Sequence, residues 1–235
     1  MRTQAASRPT DLRKPQTFTQ LRTAVRDPCH WDYTDLCAFL ICVVMLGTLL
    51  RLAVFIRLLS AATIQQPSVL FQAVVSLCVL LTLYATLKFR HGGAVWQALG
   101  WTLPSYGYAL AASLAGMLLG GAVTLIVRSS NIPAPLLAAW KIAALAATIG
   151  PVLEESFFRG CLLPLVERTV GSPAAVILTA LLFAFFHQPP TILHSACFTV
   201  SGIVYGWMRV ASRSTTAAAL THAVYNLTLF ACQSS

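Results

Sequence analysis

From residue 36 to residue 235 the chain carries three acidic side chains, Glu154, Glu155 and Glu167, while Asp11, Asp27, Asp32 and Asp35 stand in a polar N-terminal arm. A stretch that poor in charge can fold in few ways. Apolar residues make up 57% of the chain and charged residues 10%, and several apolar runs approach the roughly 20 residues a helix needs to cross a bilayer. The expected fold is all-α, a polytopic transmembrane bundle of about seven spans. A carboxylate inside a bilayer costs at least about 2.5 kcal/mol, so an intramembrane ionisable residue marks a functional site by default. Glu154 and Glu155 are two such residues side by side.

The chain divides into a basic arm at 1–34, N-terminal transmembrane helices at 35–134 and a catalytic core at 135–235. The arm lacks the apolar core and small-residue cleavage site of a secretory signal. Spans are expected near 36–56, 67–87 and 106–127, with an interfacial segment at 92–105 where Trp96 and Trp101 suit headgroup level. A long helix over 135–170 carries both glutamates. Gly171, Ser172 and Pro173 end it and start the next, with Gly at the C′ position, Ser as N-cap and Pro in the first turn. The last three spans fall near 173–187, 191–210 and 214–232. Small residues at Gly116, Gly120 and Gly121 suit close helix packing.

The formal charge of +9 does not point to nucleic acid, because the basic residues punctuate the ends of apolar segments instead of sharing a face. With the N-terminus inside, Lys88, Arg90, Arg159, Arg168, Arg209 and Arg213 join the basic arm on the cytoplasmic side. Arg51, Arg57, Arg128 and Lys141 remain outside or within, which places the C-terminus outside. The seven cysteines are scattered without a CxxC and read as small buried hydrophobes. No internal repeat is evident, which speaks against a proton- or ion-coupled transporter.

On a helix, residues four apart share a face and neighbours point about 100° apart. Glu155 and Arg159 are spaced to pair, which leaves Glu154 to act as a base. Phe183 and His187 repeat the spacing, so the ring can pack against the imidazole. His222 and Asn226 repeat it once more and put two polar groups on one face. Gly202 and Gly206 give the sixth span a smooth side. Glu154, His187, His222 and Asn226 are the types that activate water and stabilise an oxyanion, and equally the types that ligate a divalent metal such as zinc. His194 lacks a helical partner of this kind and reads as structural or interfacial.

EExxxR at Glu154–Arg159, FxxxH at Phe183–His187 and HxxxN at His222–Asn226, in that order, resemble the CPBP (ABI) family of intramembrane proteases, relatives of the type II CAAX prenyl endopeptidase. The resemblance covers roughly 135–230, and no catalytic position departs from the pattern. It implies hydrolysis of a peptide bond in a membrane-embedded or membrane-associated peptide or protein. Glu154 and His187 would activate water, His222 and Asn226 would hold the oxyanion, and Glu155, Arg159 and Phe183 would support the site. It implies no obligatory cofactor on the glutamate mechanism favoured here; the metal alternative would use Glu154, His187, His222 and Asn226. Short loops suit a bacterial member in the cytoplasmic (inner) membrane, N-terminus cytoplasmic.

Other protease chemistries lack their residues. No HExxH occurs, no aspartate falls in an expected span, and Ser201-Gly202 lies in a glycine-rich packing segment. The rival from another class is a non-enzymatic scaffold or peptide-toxin immunity protein of the same fold.

Overall fold

The structure is a computed structural model and describes residues 32–56, 69–93, 95–129 and 149–233. The arm up to residue 31, Arg57, Lys141 and the first part of the expected long helix lie outside the described residues. All regular structure among the described residues is helical. In chain order the helices are α1 (Tyr33–Phe55), α2 (Val69–His91), the short α3 (Val95–Ala98) and α4 (Tyr106–Ser129). Then come a helical run at 149–155, a π-helical segment (Ser156–Leu162) and α5 (Leu163–Val170). The chain ends in α6 (Ser172–Phe186), α7 (Ile192–Ser212) and α8 (Thr215–Gln233). By length and composition, α1 and α4 can each cross a bilayer; α6 is apolar but shorter.

The sequence reading puts Asp32 and Asp35 in the arm. The structure makes them the start of α1. Asp32 is the N-cap, its carboxylate accepting the Asp35 N–H at 2.9 Å while Asp35 Oδ2 accepts the Asp32 N–H at 2.9 Å, a reciprocal capping box. The Thr34 hydroxyl and the Asp35 N–H, both donating to Asp32, hold its carboxyl down to about 2. Asp35 is fully buried and ion-paired with Arg90 near the end of α2. An aspartate therefore does lie in the first turn of an apolar helix, tied to an arginine.

Glycines set the helix spacing around the site. A Cβ at Gly116 would lie 2.5 Å from the Thr221 carbonyl oxygen, and one at Gly120 would lie 2.8 Å from Thr228 Cβ, so α4 and α8 pack backbone to backbone. Gly202 faces Ala180 and Gly206 faces Val176 where α7 meets α6. Gly121 faces open space and takes no part.

The expected long helix is not uniform. Its ladder widens to π over Ser156–Leu162 and closes with the Leu163 N–H donating to the Phe158 carbonyl. Pro164 follows and has no N–H to give, so the return to α register falls where a ladder bond is missing in any case. Such π segments cluster at functional sites, and this one begins immediately after Glu155. Gly171, at φ 80°, is both C-cap of α5 and N-cap of α6. Ser172 is the first residue of α6, not its N-cap; its hydroxyl donates to the Glu167 carboxylate.

Three apolar clusters are buried among the described residues, and two of them surround the π segment. One joins Val123 and Val127 of α4 to Phe158, Phe183, Tyr205 and Tyr225; the other joins Phe39, Leu83, Leu87, Val95 and Leu99 to Cys161. The π segment contributes to both and sits between the two halves. The stretch after α3 is stitched to the start of α8: Thr215 donates from N to the Gly100 carbonyl at 2.8 Å and from Oγ1 to the Leu99 carbonyl at 2.6 Å.

Candidate active site

Neighbouring glutamates point to different surroundings, as the 100° step of a helix requires. Glu155 is buried completely, and its Oε1 accepts from Arg159 Nη1 at 3.2 Å and from His222 Nδ1 at 2.9 Å. Arg159 is also fully buried, and its Nη2 donates to the Gly202 carbonyl at 2.8 Å. Its guanidinium lies 4.8 Å from the Phe183 ring centre and 5.3 Å from that of Tyr205, within cation–π range. Arg159 Nε is 3.2 Å from Glu155 Oε2, an ion-pair contact without hydrogen-bond geometry.

Glu154 faces a cavity of about 290 Å³. Its Oε2 is 3.5 Å from His187 Nε2 and 4.0 Å from His222 Nε2 and makes no hydrogen bond. Both separations are longer than an ordinary N–H···O hydrogen bond.

Each imidazole is held from behind. His187 Nδ1 is 2.7 Å from the Phe183 carbonyl, which can only accept, so Nδ1 carries a proton. The ring packs 4.3 Å from Phe183 and 4.4 Å from Phe198, centre to centre. His222 stacks on Tyr205 at 4.6 Å and 17°, with Nδ1 turned to Glu155 and Nε2 towards Glu154. Asn226, one turn beyond His222 on α8, lines the same cavity. The structure thus gathers Glu154, His187, His222 and Asn226 at one wall, with Glu155, Arg159 and Phe183 packed behind it.

Residues 135–228 match the family described as Rce1-like, type II CAAX prenyl endopeptidase Rce1-like. Over that segment the chain is similar to the CAAX protease family. The Rce1-like segment contains all three motifs and every residue just placed at the wall or behind it. That match and the two helices long and apolar enough to cross a bilayer, α1 and α4, both point to a membrane protein. Comparison with curated proteins and with solved structures gives no match.

The site also contains residues that the paired motifs did not single out. His194, read from the sequence as structural or interfacial, is buried and lines the cavity, its Nδ1 2.8 Å from the Thr191 hydroxyl. Tyr205, Cys197 and Phe198 line it from α7, and Thr124 and Arg128 from α4. For α7 the signal was available: His194, Cys197, Phe198, Ser201 and Tyr205 follow a helical repeat of three and four. Among the described residues no three His, Cys, Asp or Glu side chains converge as metal ligands do.

Proposed function

We propose that the chain is an intramembrane endopeptidase that hydrolyses a peptide bond of a membrane-associated or exported peptide or protein. It would work within a bundle of about seven spans, in a bacterial cytoplasmic membrane, with its N-terminus in the cytoplasm. The observation that carries this reading is Glu154 Oε2, free of hydrogen bonds and facing the Nε2 atoms of two oriented imidazoles at the wall of a mostly apolar cavity.

A water between these atoms gives one hydrogen to Glu154 and the other to His187 Nε2, which is an acceptor because Nδ1–H is committed to the Phe183 carbonyl. As the water oxygen attacks the scissile carbonyl carbon, its proton passes to Glu154. The carbonyl π electrons move onto oxygen, and His222 and Asn226 donate to that oxyanion. For His222 to donate from Nε2 while Nδ1–H is held by Glu155, the ring must carry both protons, and ionised Glu155 supplies the counter-charge. Collapse of the intermediate re-forms the carbonyl and breaks the C–N bond. Glu154 then returns its proton to the leaving nitrogen.

The test compares membrane-protein termini in cells carrying the wild-type chain and cells carrying Glu154→Ala at matched expression. A terminus that needs the wild-type chain is expected and would name the substrate. Identical termini, with any cellular phenotype rescued equally by both forms, would overturn the peptidase reading in favour of a scaffold.

A further inference from the structure

We propose that Trp101 is a positioning residue for the active site, acting through Ser156 to fix the turn that carries Glu154 and Glu155. The consequence for catalysis rests on the peptidase reading; the positioning itself does not.

Trp101 lies outside the family segment, in the stretch between α3 and α4. Its indole N–H donates to Ser156 Oγ at 3.1 Å, and the Ser156 hydroxyl donates to the Val152 carbonyl at 2.6 Å. The direction is fixed by chemistry, because an indole N–H can only donate. Ser156 must therefore accept from Trp101 and spend its own proton on Val152. Ser156 is fully buried, so neither bond is exchanged with water.

The place of this chain of bonds gives it its effect. Ser156 is the first residue of the π segment and follows Glu155 directly. A π segment accommodates an extra residue in a helical ladder, and reversion to α would rotate everything beyond it against the turn before it. Glu155 lies before the junction and Arg159 beyond it. The seating of Arg159 on the Gly202 carbonyl and of Gly160 on Leu99, and through Arg159 the setting of Glu155 against His222, thus depends on the ladder staying widened here. Three features press on the same junction from the stretch around Trp101: the indole on Ser156, the Leu99 backbone and side chain against Gly160, and the Thr215 bonds that tie Leu99 and Gly100 to the helix bearing His222. A Cβ at Gly160 would lie 3.0 Å from the Leu99 carbonyl oxygen. Trp101 in turn meets the half-exposed Trp96 edge to face at 5.6 Å.

The experiment uses the full chain in lipid nanodiscs with 15N-labelled histidine and reads the His222 ring-nitrogen resonances. Wild type is compared with Trp101→Phe, which keeps an aromatic ring and removes the N–H, with Ser156→Ala, with the double variant, and with Leu83→Ala. The last loosens the adjoining apolar cluster without touching the bonds. Trp101→Phe and Ser156→Ala are each expected to shift the Nδ1 resonance of His222 in the same direction, and the double variant no farther than the larger single shift. Leu83→Ala is expected to lower the thermal midpoint and leave that resonance in place. An unshifted His222 in folded Trp101→Phe or Ser156→Ala, additive shifts in the double variant, or an equal shift in Leu83→Ala would overturn the proposal. If no terminus in cells depends on Glu154, the peptidase reading falls, and the His222 resonance still decides the role of Trp101.

Discussion

The carboxylate of Glu155 joins His222 to Arg159: one oxygen, Oε1, accepts from His222 Nδ1 at 2.9 Å and from Arg159 Nη1 at 3.2 Å. Three formal or potential charges thereby meet where Glu155 and Arg159 have no contact with solvent. Removing one member strands the others. Breaking a buried pair by deleting one partner costs about 3–5 kcal/mol. Arg159→Ala should thus lower the amount of folded protein and its thermal midpoint as well as activity, because Glu155 loses its counter-charge and the Gly202 carbonyl its donor. Abundance measured in membranes, with unfolding followed in detergent, checks this. Wild-type abundance and midpoint would contradict the pairing.

This relationship shows where the sequence was legible. The Glu155–Arg159 contact is local, four residues on one helix, and spacing alone predicts it. Phe183 against His187 is local in the same way. The His222–Glu155 bond joins residues 67 apart in the chain, and periodicity carries no information about which helix a face will meet. The helix positions of α1, α2, α4, α6, α7 and α8 also follow from apolar runs punctuated by Gly, Pro and charge. The π segment does not, since a single widened turn leaves the apolar pattern almost unchanged. The burial of Asp35 is not legible either, because a charged residue at a helix start reads as solvated until its partner, Arg90, is seen.

Close packing of α4 on α8 gives a second expectation, and it separates two glycines that look alike in the sequence. A methyl at Gly116 would meet the Thr221 backbone oxygen at 2.5 Å, one residue before His222, whereas Gly121 faces nothing within 4 Å. Gly116→Ala should destabilise by roughly 1–3 kcal/mol, the usual range for overpacking, and reduce activity by displacing His222. Gly121→Ala should be neutral or stabilising by up to about 1 kcal/mol from helix propensity. Thermal unfolding of both variants decides; equal effects would refute the packing argument.

The proposed activation of water by Glu154 needs no metal, so the reaction is expected to be insensitive to chelators. Dialysis of the purified chain against a strong chelator should leave cleavage of a substrate unchanged. Loss of activity restored by zinc alone would transfer the activation step to a metal held by Glu154, His187, His222 and Asn226.

Adjacent glutamates in different surroundings should respond differently to the same substitution. Glu154→Gln keeps the shape of the side chain and removes its basicity. Its Oε2 accepts no hydrogen bond from the protein, so the change leaves the Glu155–Arg159–His222 cluster in place. Insertion, abundance and thermal midpoint should stay near wild type, while cleavage falls by about 10²–10⁴-fold, the contribution typical of a general base. Glu155→Gln places an amide where one oxygen now serves two donors. It leaves the Arg159 guanidinium without an ionised partner, so the loss should appear first in abundance and only secondarily in rate. Measuring both quantities for both variants separates a base from a structural counter-charge. A stable, fully active Glu154→Gln protein would remove Glu154 from the mechanism, and a stable Glu155→Gln protein would deny the buried carboxylate its part in holding Arg159.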